Sequence, residues 1–247
     1  MARGRRYTLA FAAIVCIVAS TLVSLLAVGL KEKKDLNAEI DRKGKILIAL
    51  GLRDEVENAK SSDEFLRLYE RSITSVLVDK NGEILPGKTA EALQNPLEEF
   101  PVYIRKEGDQ LTAIAVPVSG KGLWSTLYGY FALESDLNTV KGITFYQHGE
   151  TPGLGGEIEK EWFQANFVGK KILDAEAQLV SVEVIRGKVD QVVTNAERKL
   201  HSVDGISGAT ITSRGVTQLL KHWLGVYEPF LQKARNRGLE ETIKESH

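Results

Sequence analysis

The stretch Asp204–Val216, DGISGATITSRGV, crowds hydroxyl side chains and glycines just ahead of the run TQLLKHWL. Val216, Leu219, Leu220 and Trp223 fall at i, i+3, i+4 and i+7, so this run is a helix with one buried face. Its start lies in or just after the hydroxyl-rich segment. A helix start carries unpartnered N–H groups and the positive end of the macrodipole, which makes it a natural seat for a phosphate. Gly205 and Gly208 let the backbone approach a ligand closely. The G-x-x-x-x-G-K-[ST] spacing of a nucleotide P-loop is absent, and no lysine follows Gly208 to reach outer phosphates, which argues against an NTPase. Two other roles stand beside the anion seat. Ser207 or Thr210 caps the helix, or a hydroxyl here is a nucleophile, which requires a base that the segment does not contain. His148 and His201 are the distant candidates for that base.

Two more loops have the same small-residue character. HGETPGLGGE, His148–Glu157, sets Pro152, Gly153, Gly155 and Gly156 between a strand and a helix, and SGKGLWS, Ser119–Ser125, sets Lys121 and Trp124 among glycines. Each alone reads as a turn. Three such loops in one domain, with one lysine and one tryptophan, could surround a planar phosphorylated cofactor. The four histidines lack H-x-x-x-H spacing, and the single cysteine, Cys16, lies in an apolar run, so no metal site is expected. Trp162 and Trp223 sit at helical spacing and read as core residues.

The elements that must position these loops follow from composition and pattern. The chain has 247 residues, 43% apolar and 26% charged, with a formal net charge of −1. That composition builds a folded core, and the scattered basic residues exclude the basic face of a nucleic-acid binder. No charge interrupts Tyr7 to Leu30, a run that as a helix reaches about 36 Å and crosses a hydrocarbon core of about 30 Å. A cleaved signal peptide fits less well, because the run is long and no A-x-A site follows. Arg3, Arg5 and Arg6 on one side balance Lys31, Lys33 and Lys34 on the other, so local charge leaves the orientation open. The chain divides into residues 1–6 before the span, a transmembrane helix over 7–30, a juxtamembrane connector over 31–60 and a folded domain over 61–247. Within that domain, Ser61 and Glu64 form a capping-box pattern for a helix from about Ser62 to Ser72. Strands are predicted around the Asn81-Gly82 and Gly108 turns and in STLYGYFALES and VKGITFYQHG. A helix is predicted in EIEKEWFQANFVG, with Ile158, Trp162 and Phe163 on one face, and a hairpin in LVSVEVIRGKVDQVV. Pro229 limits the last helix. The fold class is α+β, with a mixed or antiparallel sheet, flanking helices and one N-terminal membrane helix.

DGISGAT, HGETPGLG and SGKGLW, in that combination, resemble the FMN-binding domain shared by NqrC, of the sodium-translocating NADH:quinone reductase, and its counterpart in the Rnf electron-transport complex. The likeness extends from the membrane span to near the C-terminus. It implies covalent FMN, joined by a phosphoester to the last threonine of the [ST]-G-A-T element, here Thr210. It also implies a magnesium-dependent flavin transferase that draws the FMN unit from FAD and supplies the missing base in trans. Site residues carried over on this likeness are Asp204, Ser207, Gly208, Ala209, Ile211 and Thr212 around the phosphate. Glu150, Thr151, Gly153, Leu154 and Gly155, with Lys121, Gly122, Leu123 and Trp124, would lie near the ring. The ending HWLGVYEPFLQKA is similar to NqrC, whereas SGATITSR with Arg214 is closer to the Rnf counterpart. The former covers more positions, so an NqrC-type chain is the expectation. That expectation brings a one-electron carrier in a six-subunit membrane NADH:quinone reductase of the bacterial inner membrane. Its N-terminus would be cytoplasmic and its flavin domain periplasmic. The alternatives of another class are an anchored module that holds a ligand non-covalently and a self-contained FMN reductase, the latter lacking a dinucleotide fingerprint.

Overall fold

The computed structural model describes residues 2–108 and 110–244, with only the backbone described for Ala2, Arg3, Arg5, Arg6, Glu32 and Lys244. The basic side chains ahead of the span therefore lie outside the described residues. The chain forms two compact units, Met1–Asp41 and Arg42–His247.

The first unit is helical. Helix α1 (Ala2–Gly29) contains the stretch Tyr7–Gly29, of mean hydropathy 2.6, which is long and apolar enough to cross a membrane. Leu9, Ile17 and Leu25 stand exposed along it. Helix α2 (Lys31–Ala49) begins in this unit and ends in the next.

The second unit starts at Arg42, inside the segment read from sequence as connector. The physical reason is burial: Ile46, Leu47, Ala49, Leu50 and Leu52 are all in the core. After α3 (Arg53–Asn58), helix α4 (Ser62–Ser72) begins with the cap its sequence indicates. The Ser61 side chain accepts the Glu64 N–H at 3.2 Å, and the Glu64 carboxylate accepts the Lys60 N–H at 3.0 Å.

Five antiparallel strands follow, neighbours in chain order: β1 (Ile73–Asp79), β2 (Glu99–Glu107), β3 (Gln110–Lys121), β4 (Thr126–Glu134) and β5 (Val140–Gln147). Alternation along the strands gives the sheet two covered faces. On one face lie the last turns of α2, where Thr144 donates to the Lys45 carbonyl at 2.9 Å and Arg105 to the Leu50 carbonyl at 2.8 Å. On the other lies the long helix introduced below.

Between sheet and long helix the chain is made of short pieces. A 3₁₀ turn over Gly155–Glu159 and α5 (Glu161–Ala165) replace the single helix read there; Ile158 and Phe163 are buried, but Trp162 is 44% exposed. The hairpin read in LVSVEVIRGKVDQVV does not form. Instead β6 (Glu183–Val184) is followed by α6 (Val189–Val192) and α7 (Ala196–Leu200), and β6 pairs in parallel with β7 (Ser202–Val203). Val182 and Val184 of the run join the main core, while Ile185, Val189 and Val193, four positions apart, form their own small cluster. A short apolar run does not by itself distinguish the two periods.

Helix α8 (Thr210–Arg237) spans 28 residues, and α9 (Leu239–Lys244) follows it. Its buried face, Leu219, Leu220, Leu224, Tyr227 and Phe230, joins one core with Val102, Ile104, Val116 and Phe131 of the sheet. Trp223 Nε1 donates to the Ser119 carbonyl at 2.7 Å and Tyr227 OH to the Pro101 carbonyl at 2.9 Å, fixing the helix along the sheet. Contrary to expectation, α8 continues through Pro229. The proline costs about 3 kcal/mol in a helix interior. Phe230, Leu231 and Ala234 beyond it are buried, and each large apolar side chain so buried contributes about 1.5–3 kcal/mol.

Candidate functional site

The first turn of α8 has no conventional cap. Its N-cap residue is Ala209, no side chain bonds there, and the first turn contains no acidic residue. Neither Ser207 nor Thr210 caps the helix, so the capping role is excluded and the positive helix end is left without local compensation. Gly208, at φ 74°, turns the chain into it in a conformation that side-chain-bearing residues resist. A Cβ there would stand 2.8 Å from Leu154 Cδ2, so the turn and the 150–156 loop are in contact.

The hydroxyls of this segment have different fates. Thr212 is 1% exposed and donates to Glu150 Oε2 at 2.5 Å. Ser213 is also buried. Ser207 is exposed in the turn, and Thr210, the first helical residue, is half-buried with no hydrogen-bond partner among the described residues. Both Ser207 and Thr210 line a cavity of about 670 Å³.

Glu150 is the junction of the three loops. Its carboxylate is 5% exposed and accepts, besides Thr212, the N–H groups of Leu123 at 3.2 Å, Trp124 at 2.9 Å and Ser125 at 3.3 Å. Burial pushes its pKa up, but the Thr212 hydroxyl and these N–H groups outweigh burial and hold it below the usual carboxylate range. The sequence suggested Glu150 as a polar contact for a ring; in the structure its oxygens are committed to the protein. Space explains the glycines around it. A Cβ on Gly122 would lie 2.6 Å from Glu150 Oε1, and one on Gly155 would lie 2.5 Å from Thr212 Oγ1. The end of β3 is pressed equally close to α8, since a Cβ on Gly215 would meet the Lys121 carbonyl at 2.4 Å.

Around this junction stand large apolar side chains in water: Trp124 is 71% exposed, Ile211 54%, and Leu123 and Leu154 43% each. Exposed apolar groups gathered on loops that are otherwise tightly braced mark a binding surface. Lys121 is exposed at the end of β3. Gly153, at φ 75°, and the Thr151 carbonyl, which accepts the Leu154 and Gly156 N–H groups, shape the loop bearing Leu154. Asp204 lies at the margin: its carboxylate accepts Lys188 Nζ and the Val189 N–H, both at 2.8 Å. Burial raises its pKa, while Lys188 and the Val189 N–H more than reverse this. Sequence reasoning missed Arg186 and Lys188, which line the cavity from a segment it had placed in a hairpin.

The FMN-binding domain family matches residues 122–225, from the Trp124 loop through the first turns of α8. NqrC of Vibrio anguillarum, part of its Na(+)-translocating NADH-quinone reductase, is 37% identical, over 90% of this chain and 92% of its own. The chain belongs to the NqrC family. A second NqrC, from Pseudomonas aeruginosa, is 38% identical over 92% of this chain and 95% of its own. Among solved structures, NqrC from Parabacteroides distasonis superposes with a TM-score of 0.68 at 33% identity, covering 82% of this chain and 96% of that one. Its Shewanella oneidensis counterpart gives 0.64 at 27%, covering 78% and 95%. Arg214, which resembled the Rnf counterpart, thus occurs in a member of the NqrC family.

The residues present fit a phosphorylated flavin. An uncapped helix start and a free Thr210 hydroxyl suit the phosphate, and the Trp124, Leu123, Leu154 and Ile211 side chains suit a planar ring.

Proposed function

We propose that the chain holds FMN covalently, through a phosphoester between Thr210 Oγ and the flavin phosphate. It relays electrons one at a time within the membrane complex that couples NADH oxidation and quinone reduction to sodium export. The observation that carries this reading is the state of Thr210: an unpartnered, accessible hydroxyl on the first residue of an uncapped helix, beside a cavity. When bound, FMN supplies the one-electron redox chemistry. This chain's residues hold and orient it. The N–H groups of Thr210, Ile211 and Thr212 face the phosphate as acceptor-free donors at the positive helix end. Trp124 and Leu154 pack against the ring with Leu123 and Ile211, and Lys121 offsets anionic charge. The Glu150 carboxylate accepts bonds from both the Trp124 loop and Thr212 of α8. It holds the Trp124 loop against α8, so the ring platform and the phosphate seat keep a fixed separation.

Among the described residues no base hydrogen-bonds the Thr210 hydroxyl, which fits attachment by a separate flavin transferase acting in trans. The α1 span serves as a single-pass anchor in the bacterial inner membrane, with the flavin domain periplasmic and the other members of a six-subunit complex as partners. The chain is made together with a flavin transferase and run on a denaturing gel. Flavin fluorescence should stay with the polypeptide, vanish in Thr210→Ala and persist in Ser207→Ala. An unlabelled wild-type band would sink the covalent link, leaving an anchored module that holds its ligand reversibly. A labelled Thr210→Ala band would sink only the site.

A further inference from the structure

His148 directly follows β5, and its imidazole touches both ends of the loop that carries Leu154. At the entry of the loop, Nδ1 accepts the Glu150 N–H at 3.2 Å. At the exit, Nε2 lies 3.4 Å from Oε2 of Glu159, the last residue of the 3₁₀ turn. The side chain is only 12% exposed, and Nε2 is buried without a hydrogen bond among the described residues. With one nitrogen bonded and the other enclosed, the ring is placed to hold the loop and not to serve Thr210 as a base.

The loop it holds is coupled to the rest of the site. Gly149 donates its N–H to Ser125 Oγ at 2.6 Å, which joins the entry of the loop to the segment bearing Trp124. At the tip, Leu154 Cδ2 would stand 2.8 Å from a Cβ on Gly208, so a shift of the loop is felt at the turn before Thr210. Imidazole chemistry then sets two arrangements against each other. A neutral ring carries one N–H, and with Nδ1 accepting, that hydrogen is on Nε2, toward Glu159. A second proton on Nδ1 would set two donors face to face and cost the Glu150 N–H its acceptor, while the positive ring would gain the Glu159 carboxylate. Other charges bear on that balance. Lys160 Nζ lies 3.9 Å from Glu159 Oε1 and competes for it, the Glu150 carboxylate is engaged with Thr212 and the 123–125 N–H groups, and Arg42 of α2 stands over Tyr146, two residues before His148.

We propose that His148 is a positioning residue that sets the stance of the Leu154 loop, and through it the fit of the flavin ring, by clasping the loop entry as the neutral Nε2–H tautomer and releasing it on taking a second proton. The effect on the ring rests on the flavin reading; the clasp does not. His201 supplies the contrast within the same chain, because its Nδ1 lies 2.7 Å from the Lys171 carbonyl and must therefore carry the hydrogen.

The test uses the full chain in detergent, first without flavin. Nitrogen NMR of the histidine rings, assigned by the signals lost in His148→Asn, should show His148 protonated on Nε2 and His201 on Nδ1. Lowering pH from about 8 to about 5, the range in which histidine ordinarily charges, should shift the Leu154 methyl resonances together with those of His148. His148→Asn puts Oδ1 in the place of Nδ1 and does not titrate, so Leu154 should keep its neutral-state position and lose the pH response. His148→Phe, which has no acceptor, should leave Leu154 near its acid position throughout, and Glu159→Gln should move the response to lower pH. In the flavin-loaded chain, the visible circular dichroism of the flavin should follow the same response and lose it in His148→Asn. A hydrogen on Nδ1 of His148, a Leu154 response that survives His148→Asn, or a His148→Phe chain that matches the wild type at the alkaline end would overturn the clasp. A Leu154 response that the bound flavin ignores would overturn its link to the ring. A chain that takes no flavin would remove the flavin reading and leave the clasp to be decided by Leu154 alone.

Discussion

Thr210 and Thr212 are the same residue type, two positions apart in one helical turn, and they belong to opposite sides of the molecule. Two residues turn a helix by about 200°. Thr212 therefore faces inward, where its hydroxyl is consumed by Glu150, while Thr210 faces the cavity with its hydroxyl free. The inner side is braced to the point that glycines are needed to fit it, whereas the outer side gathers exposed apolar groups, unpaired cations and uncapped N–H groups. Rigidity on one side is what makes availability on the other useful: a platform of exposed loops holds a fixed position only because Glu150 ties those loops to α8.

The sharpest break of this comparison is exchange of the two threonines' fates. Thr210→Ala should abolish flavin attachment and leave stability within about 0.5 kcal/mol, as expected for a side chain without partners. Thr212→Val should do the opposite, keeping attachment in the folded protein while costing about 1–3 kcal/mol for a buried carboxylate left one donor short. Urea denaturation together with the denaturing gel reads both.

In stability alone the largest loss falls on the brace. Glu150→Ala strips the acceptor from the Thr212 hydroxyl and from the N–H groups of Leu123, Trp124 and Ser125, and should cost about 3 kcal/mol or more in chemical denaturation. Gly155→Ala forces a methyl to 2.5 Å from Thr212 Oγ1, and an overpacking loss of about 1–3 kcal/mol is expected. If Gly155→Ala is neutral, the inner side is not braced as described.

Acid should loosen the same junction. The Glu150 carboxyl titrates below its unfolded value of 4.5, so the folded state favours the charged form. Its stabilisation is complete above that value and is lost as pH falls through the depressed folded pKa. Lowering pH below about 4.5 should thus release Trp124 from its loop position earlier in the wild type than it affects Glu150→Gln, whose side chain no longer titrates. Trp124 fluorescence follows the release. The smallest effect belongs to Trp124→Ala, which should change stability by less than about 0.5 kcal/mol because the side chain is 71% exposed, while weakening flavin retention before attachment.

Much of this was legible before any coordinates. The turns at Asn81-Gly82 and Gly108, the Ser61 cap and the apolar stripe of α8 are local signals; α4, the start of α8 and strands β1 to β5 fall where they indicate, but after the Asn81-Gly82 turn only an isolated bridge, Val78 to Ile84, forms in place of a strand. The three loops, too, could be picked out, because glycines in quantity leave a trace in sequence. What escaped depends on contacts between distant segments. Nothing near Glu150 in the chain says that its acceptors are needed by residues 123–125 and 212. Arg186 faces the cavity because β6 runs parallel to β7, a pairing made across two intervening short helices. Pro229 lies inside α8 because the core on its far side outweighs a local penalty. The charged first half of α2, KEKKDLNAEIDRKGK, makes the whole segment read as a connector, and although residues 46–52, ILIALGL, are apolar, the sheet face that buries them is far along the chain.

The central claim concerns one oxygen atom, and proteolytic peptide mass mapping tests it directly. After production with a flavin transferase, the peptide containing Thr210 should gain the mass of one FMN less one water, with fragmentation placing the addition on Thr210 and none on Ser207, Thr212 or Ser213. An unmodified peptide, or a flavin fragment assigned to any other hydroxyl, would contradict the account.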